Sequence, residues 1–163
     1  MNREELNGIM KQHKAWLEGK FGGERAELCG ADLHHARLQD ADLQGAILRG
    51  AILEDSDLQG AILRHSDLRH SDLRGADLRC ADMRDADIDF ASWPLWCGSL
   101  KAYVDDRIAI QLLYHTLSVV QHSPYVSEDV KKALLSAENV RIANRFHRIG
   151  ECREIKEWEE GTK

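Results

Sequence analysis

The side chains of this chain that could do chemistry are its thiols and imidazoles, which act in proteins as nucleophiles, bases or metal ligands. The candidates for a thiol or metal site are Cys97, His115, His147 and Cys152. A zinc site favours closely spaced ligand pairs, whereas these four residues are spread singly between positions 97 and 152. A Cys97 nucleophile would need a histidine base beside it in space, which this spacing does not establish.

Two histidine and aspartate pairs recur at an interval of twenty residues. His35 precedes Asp55, and His65 precedes Asp85, by that interval. A neighbouring carboxylate favours the protonated imidazole, but an exposed pair without a pocket is a weak sign of an active site. Phosphate-binding glycine loops and nucleophile elbows are absent from the sequence. We therefore predict a protein that is not an enzyme, with no catalytic residue, no metal site and no cofactor.

The two pairs lie within an uninterrupted internal repeat. From Ala26 to Phe90 the chain consists of thirteen consecutive five-residue words, of which "SDLRH" at 66–70 is one. The first letter is always Ala or Ser, the second is mostly Asp, and the fourth is often Arg or Gln. The third letter is always a large aliphatic residue: Leu28, Leu33, Leu38, Leu43, Leu48, Leu53, Leu58, Leu63, Leu68, Leu73, Leu78, Met83 and Ile88.

A repeat of five residues excludes an α-helix, because each step would rotate the aliphatic residue by about 140° around the helix axis. In an extended segment, residues two apart share a side. The first and third letters then point inward together, the second and fourth point outward, and the fifth turns a corner. Stacked turns pair their backbones at roughly 4.8 Å, so the pattern predicts a β-solenoid.

The words "ADLQG", "SDLQG" and "ADLRC" resemble the pentapeptide repeat family. That resemblance implies a right-handed quadrilateral β-helix with one word per side and four words per coil. Thirteen words would form about three coils, and residues twenty apart would stack on one side. Such a repeat cannot bury its apolar face alone, so we expect both ends to be capped.

With four words in each coil, the position of every outward residue on the column can be assigned. Ile47, Ile52 and Ile62 form an apolar belt in the second coil, and an exposed apolar belt is typical of an interface. Three explanations remain open: the helices of the chain cover it, it is a dimer seam, or isoleucine is simply tolerated there. The outward charge ladder of surface pairs, worth about 0–1 kcal/mol each, comprises Asp67, Asp72, Asp77, Asp82, Asp87, Arg64, Arg69, Arg74, Arg79 and Arg84.

Helical patterns flank the repeats on both sides. An amphipathic segment begins after Asn2, a helix N-cap residue, and ends near Gly19. We predict that this helix caps the column and that Phe21 plugs its opening, while Trp93 plugs the other end. Residues 105–122 predict a long helix, and a further helical stretch is predicted to begin near Ser127.

The predicted domains are therefore an N-terminal capping helix with its following turn at 1–25, the β-helix at 26–95, and a helical segment at 96–163. The stretches "WPLWCGS", "QLLYH" and "ANRFHR" in the helical segment resemble those of bacterial and prophage-borne pentapeptide repeat proteins.

The charge balance narrows the class of partner. The chain has a formal net charge of −6. Within 26–90 the balance is fourteen carboxylates against seven arginines, so the repeats carry the acidity. This argues against direct binding of nucleic acid or of an anionic membrane. The four cysteines show no disulfide framework, and no leader or membrane-spanning pattern is found, so we expect a cytoplasmic protein, which the resemblance implies to be bacterial.

These observations favour a non-enzymatic protein–protein interaction or scaffold module, with an unidentified protein partner and a homodimeric state. One alternative comes from the resemblance: acidic members of the family mimic duplex DNA and bind a type II topoisomerase such as gyrase. A second alternative is a thiol or histidine enzyme within the helical segment, built from Cys97, His115 and His147.

Overall fold

The computed structural model describes residues 1–94, 102–144 and 156. The chain forms two compact units, Met1–Asp105 and Asp106–Lys163. The described helices are α1 (Arg3–Leu17), α2 (Asp106–His122), α3 (Glu128–Leu134) and α4 (Ala137–Ala143). Of these helices, none has the length and apolar character needed to cross a membrane.

The repeats form a β-solenoid without long strands. Each word contributes a single bridge residue, its second letter, which pairs in parallel with the second letter twenty residues away. On one side of the column the pairs run from Glu27 to Ile47, then to Asp67, then to Asp87. One coil therefore contains four words, and the predicted solenoid with four-word coils is what the chain adopts.

The interior is filled by the first and third letters of every word. All thirteen third letters are buried, with no side chain more than 4 % exposed. The second and third coils are the most completely buried, since Leu48, Leu53, Leu58 and Leu63 of the second coil and Leu68, Leu73, Leu78 and Met83 of the third have no exposed surface. Burying each leucine contributes about 1.5–3 kcal/mol, so this core is the main source of the column's stability.

The fifth letter of every word turns the corner in a left-handed backbone conformation. All thirteen fifth letters, from Gly30 to Phe90, have a positive φ between 53° and 70°. Glycine adopts this conformation without strain, and Asp and His tolerate it better than most residues do. Cys80 and Phe90, both at 61°, are the unusual occupants. Every corner therefore has the same left-handed backbone conformation, although the residue at the corner varies from word to word.

The column extends past the last regular word. Ser92 pairs with Asp72, and Tyr103 pairs with Asp82, twenty-one residues earlier. The Tyr103 backbone both donates to Ala81 O (2.7 Å) and accepts from Met83 N (2.8 Å). The compact unit ends at Asp105, and the β-helix domain predicted from the sequence ends at residue 95. Trp93, predicted to plug this end, is half-buried.

Helix α1 contacts the first coil. Asn2 and Glu5 form a reciprocal capping box at its start, which satisfies two backbone donors that have no partner within the helix. The buried face of α1 carries Leu6 and His13. The backbone N–H of Ala26, the first residue of the first word, donates to His13 Nδ1 at 3.0 Å. The helix therefore supplies a hydrogen-bond acceptor to the column as well as apolar surface.

The interpretation of Phe21 as the plug of the N-terminal opening is wrong. Its side chain is fully exposed, at 108 % of the reference area. The chain reverses direction through Gly19 and Gly22, both at positive φ, and this turn directs Phe21 outward. Gly23 then lies so close to the backbone of Trp16 that an added Cβ would lie 2.3 Å from its nitrogen. Leu6 and His13 of α1 are the buried residues of this segment instead.

His13 makes the cap sensitive to acid. Burial lowers the pKa of His13 from its ordinary value, an effect that nearby Arg25 reinforces and Asp42 opposes. Protonation would also replace the acceptor at Nδ1 with a donor facing the Ala26 N–H. The folded chain thus holds His13 neutral, while the unfolded chain binds a proton as the pH falls below about 6.5.

We expect the stability contributed by neutral His13 to be complete above about pH 6.5 and to decline as the pH falls toward the folded-state pKa. The decline cannot exceed about 1.4 kcal/mol per pH unit, because one proton is involved. Urea unfolding at several pH values measures it. The variant His13→Gln should lose this part of the slope, and an unchanged slope in that variant would contradict the assignment to His13.

The second unit has an apolar core of its own. Helix α2 packs against α3 and α4. The buried cluster consists of Tyr114, Leu117, Val120, Leu135, Val140 and Ala143. The three helices α2, α3 and α4 therefore share one apolar core and form a small helical unit.

Candidate interaction surface

The outward residues are held on a backbone that is hydrogen-bonded to the neighbouring coils. In the word at 56–60, Asp57 N donates to Ala36 O (2.9 Å) in one neighbouring coil, and Leu58 N to Asp77 O (2.9 Å) in the other. The N–H groups of the first and fifth letters likewise donate to backbone carbonyls. The N–H of the fourth letter, Gln59, donates to the side chain of Asp57 at 3.1 Å. Every backbone N–H of this word therefore has a partner.

The second-letter aspartate thus has a structural role that the sequence analysis missed. Each of the eight words with Asp as its second letter shows the same bond from the fourth-letter N–H to Oδ1, at 3.1–3.3 Å. This is a local turn in which an Asp side chain accepts from the backbone two residues on. The spacing of two residues was visible in the sequence and could have identified it.

The third coil carries a closed ring of ion pairs. Each of its four words has Asp as second letter and Arg as fourth: Asp67–Arg69, Asp72–Arg74, Asp77–Arg79 and Asp82–Arg84. In each pair Nη2 lies 2.5–2.6 Å from Oδ2, and Nε lies 2.8–2.9 Å from Oδ1. The guanidinium bonded to each of these carboxylates holds the pKa of the aspartate below its ordinary value. The arginines neutralise the aspartates of their own words.

The remaining ladder residues show that this pairing requires an aspartate within the word. Arg64 belongs to a word with Ile62 as its second letter, and its Nε is buried without a hydrogen-bond partner among the described residues. Asp87 lies in a word without arginine and approaches Arg69 of the preceding coil at 3.7 Å. Pairing within a word is therefore the rule, and pairing between coils is longer and weaker.

The substitution Asp77→Ala should destabilise the column by about 1–2 kcal/mol, because it removes both the backbone acceptor and the ion pair with Arg79. Asp77→Asn keeps an oxygen acceptor for the Arg79 N–H and should cost less than about 1 kcal/mol. Urea denaturation of the two variants measures the difference. Equal costs for both would mean that the charge, rather than the turn, explains the aspartate.

The isoleucine belt lies on three of the four sides of the column. Ile52 and Ile62 are 42 % and 37 % exposed, and Ile47 is half-buried. Because each word forms one side, Ile47 lies on the side between the other two, and Ile52 and Ile62 lie on opposite sides. A flat partner that lies against one side of the column can therefore cover only one of the three isoleucines.

Electrostatics gives a further reason for isoleucine at these positions. Ile47, Ile52 and Ile62 each stack between a carboxylate of the first coil and one of the third: Glu27 and Asp67, Asp32 and Asp72, and Asp42 and Asp82. On the remaining side the second coil has Asp57, and there the first coil has Arg37. Like charges directly opposite each other destabilise a ladder. The arrangement prevents three carboxylates from stacking in succession.

The histidine and aspartate pairs lie at corners of the column. His65 Nδ1 is 3.8 Å from Asp85 Oδ2, and both side chains are more than half exposed. His34 lies beside His35 and Asp55, with possible ligand atoms of all three residues within 4.8 Å of one another, and the sequence analysis did not include it. His115 is exposed on α2, with its ring edge-on to Tyr114 at 5.5 Å. Cys97, His147 and Cys152 lie outside the described residues.

Comparison with known proteins identifies the repeat. Residues 24–50 and 51–89 match the family described as Pentapeptide repeats, in eight copies. No curated protein matches the chain.

Solved structures similar to this chain include three repeat proteins. A pentapeptide repeat protein from the Arabidopsis thaliana thylakoid lumen is 33% identical over 42% of this chain and 48% of its own, with a TM-score of 0.41. HetL from Nostoc sp. strain PCC 7120, involved in heterocyst differentiation regulation, is 30% identical over 50% of this chain and 36% of its own (TM-score 0.30). QnrB1, a plasmid-mediated fluoroquinolone resistance protein, is 18% identical over 52% and 43% (TM-score 0.34). This chain spans less than half the length of each.

Proposed function

Since residues 24–89 make this chain a member of the pentapeptide repeat family, we propose that it is a non-enzymatic module that binds another protein through the sides of its column. The observation that carries the proposal is the exposure of Ile52 and Ile62 on column sides whose coils are joined by backbone hydrogen bonds, such as Ile52 N to Ala31 O and Ile62 N to Ala41 O at 2.9 Å. A rigid surface loses little conformational entropy on binding, and exposed apolar groups supply the driving force.

A second copy of the chain is the partner we propose first. The side that carries Ile52 presents it between Asp32 and Asp72, and the latter is paired with Arg74. An apolar centre with a rim of both charges is suited to a self-complementary contact around a two-fold axis. Because Ile52 and Ile62 face opposite ways, a two-fold dimer through one side uses only one of them.

We therefore expect either Ile52→Asn or Ile62→Asn, but not both, to convert a dimer into a monomer. Asparagine at the second letter can accept the fourth-letter N–H as aspartate does, so the column should remain folded. Sedimentation equilibrium of the full chain and both variants measures this. Asp57→Asn, on the side without isoleucine, is the matched control and should stay dimeric. A monomeric full chain at high concentration, or two variants that both remain dimeric, would contradict the dimer proposal.

The alternative function is an acidic DNA mimic that binds a type II topoisomerase such as gyrase. The observation in its favour is the excess of carboxylates in the repeats. The four arginine pairs of the third coil work against it, because they neutralise the aspartates that such a mimic would present. A gyrase supercoiling assay distinguishes the two functions: inhibition by micromolar protein supports the mimic, and unchanged supercoiling supports the interaction module.

We also propose that the protein works in the bacterial cytoplasm. The free thiols of Cys29 and Cys80, both exposed, are compatible with a reducing compartment. Labelling of the folded protein with a thiol reagent, immediately after lysis under anaerobic conditions, tests whether these cysteines are reduced in the cell.

A further inference from the structure

One corner of the column brings three possible metal ligands together from two successive coils. His34 and His35 are the fourth and fifth letters of one word, and Asp55 is the fifth letter of the word stacked on it. One imidazole nitrogen of each histidine and one carboxylate oxygen of Asp55 all lie within 4.8 Å of one another. All three side chains are exposed, so an ion from solution can reach them.

The backbone beneath these side chains is fixed by the solenoid. His35 and Asp55 both occupy corner positions, at φ values of 54° and 55°. His35 N donates to Glu54 O at 3.1 Å, and Asp55 N donates to Arg74 O at 2.9 Å. These bonds hold the two corners at the spacing of adjacent coils. Only side-chain rotations are therefore needed to bring the ligand atoms to the distances of about 2.0–2.2 Å that zinc prefers.

The two imidazoles are already adjacent. The ring centroids of His34 and His35 lie 3.7 Å apart, with the rings tilted by 43°. Consecutive residues in an extended strand point to opposite faces, but the left-handed corner at His35 brings its side chain back beside that of His34. The corner conformation is thus what turns two neighbouring histidines into a potential chelating pair.

We propose that His34, His35 and Asp55 form a site for a divalent transition-metal ion, and that Zn²⁺ is the ion that fits them best. Two imidazoles and one carboxylate are ligands that zinc accepts, whereas Mg²⁺ and Ca²⁺ favour sites made of oxygen alone. Three protein ligands leave one tetrahedral position open to water or to a side chain of another molecule. This site differs from the expectation of no metal, which considered His35 and Asp55 without His34. It is independent of the isoleucine belt and of the proposed dimer.

The chain contains a matched comparison for this site. His65 and Asp85 occupy the same letters in successive coils, also at positive φ, with Nδ1 and Oδ2 3.8 Å apart. In the word that ends at His65 the fourth letter is Arg64, whereas in the word of the proposed site the fourth letter is His34. A single imidazole with one carboxylate provides too few ligands for a closed zinc site. The second imidazole is therefore the feature that sets the His34, His35 and Asp55 corner apart.

The test is isothermal titration calorimetry of the metal-free full chain with Zn²⁺ at about pH 7.5. The variants are His34→Gln, His35→Gly, Asp55→Gly and the control His65→Gly. Glycine adopts the corner conformation without strain, so the three glycine variants should keep the fold. Circular dichroism checks this. Zinc bound elsewhere, for example by thiols, is common to all the proteins and cancels in the comparison.

We expect His34→Gln, His35→Gly and Asp55→Gly each to weaken or remove one zinc equivalent, by at least about tenfold in Kd. His65→Gly should bind as the unaltered chain does. Co²⁺ in place of Zn²⁺ should give a tetrahedral visible spectrum that is lost in His35→Gly. The proposal is overturned if the unaltered chain binds no Zn²⁺ at millimolar concentration, or if His35→Gly and Asp55→Gly retain the same number of equivalents and the same affinity.

Discussion

The substitution Leu58→Ala should destabilise the first unit by about 3–4 kcal/mol. Leu58 has no exposed surface and lies in the second coil, with a coil stacked on each side. Its neighbours cannot close the resulting cavity, because their backbones are fixed by bonds such as Leu58 N to Asp77 O at 2.9 Å. For a unit of this size the melting temperature should fall by more than about 10 °C, as measured by circular dichroism.

The matched control for this prediction is Leu58→Met. Met83 already occupies the third letter of a word in the next coil, on the adjacent side of the column, where it is fully buried. A change that conserves volume should cost less than about 1.5 kcal/mol. If Leu58→Ala cost no more than Leu58→Met, the column would have to relax around the cavity, and the picture of a rigid interior would be incorrect.

Removal of residues 1–22 should cause the column to self-associate. This deletion removes α1, and with it buried Leu6 and the His13 acceptor of the Ala26 N–H. The first coil has no coil before it, so its inward residues and the backbone edge that begins at Glu27 become accessible. An uncovered strand edge pairs readily with another chain. We expect oligomers or aggregates in size-exclusion chromatography and a lower melting temperature.

The control for the deletion is Phe21→Ser. Phe21 belongs to the deleted segment but is fully exposed, so its replacement should change neither the oligomeric state nor the melting temperature. A truncated chain that runs at the same oligomeric state and melts at the same temperature as the full chain would show that α1 is not a cap. A large change in oligomeric state or melting temperature in Phe21→Ser would instead mean that Phe21 closes the N-terminal opening, contrary to its exposure in the structure.

The two predictions share one physical cause. In a solenoid each coil contacts only its neighbours, so stability depends on continuous stacking and on protection of the two ends. The substitution Leu58→Ala tests the continuity of the stacked coils, and the deletion of residues 1–22 tests the protection of one end. The outward residues contribute less, because exposed ion pairs such as Asp77–Arg79 are worth about 0–1 kcal/mol each.

Much of this fold follows from the period of the sequence. Leu58 and Ser56 are two residues apart and share the inside of an extended word, whereas Asp57 lies on the outside. These relations are local, so spacing alone predicts them. The hydrogen bond from Gln59 N to Asp57 is also local, because the aspartate side chain reaches a backbone group only two residues away. The sequence spacing therefore implies this bond as well, although the sequence analysis did not predict it.

Phe21 and His13 show where prediction from the sequence failed. Phe21 is the more apolar residue and lies nearer the repeats in the sequence, which favours it as a plug. The turn through Gly19 and Gly22 instead directs it to solvent, and a histidine takes the buried position because its ring accepts the Ala26 N–H. Which side chain fills an opening depends on the path of the backbone, and that path is not encoded in hydrophobicity.

The repeat, the inward and outward letters and the corner at every fifth residue follow from the sequence alone. Which residues meet depends on the closed column: Ile52 and Ile62 lie on opposite sides, Tyr103 pairs with the ladder at Asp82, and His34 and His35 lie beside Asp55. The first group depends on periods of two and five residues, which the sequence shows directly. The second depends on contacts across coils and on side-chain directions at left-handed corners, which are fixed only when the chain is closed into a column.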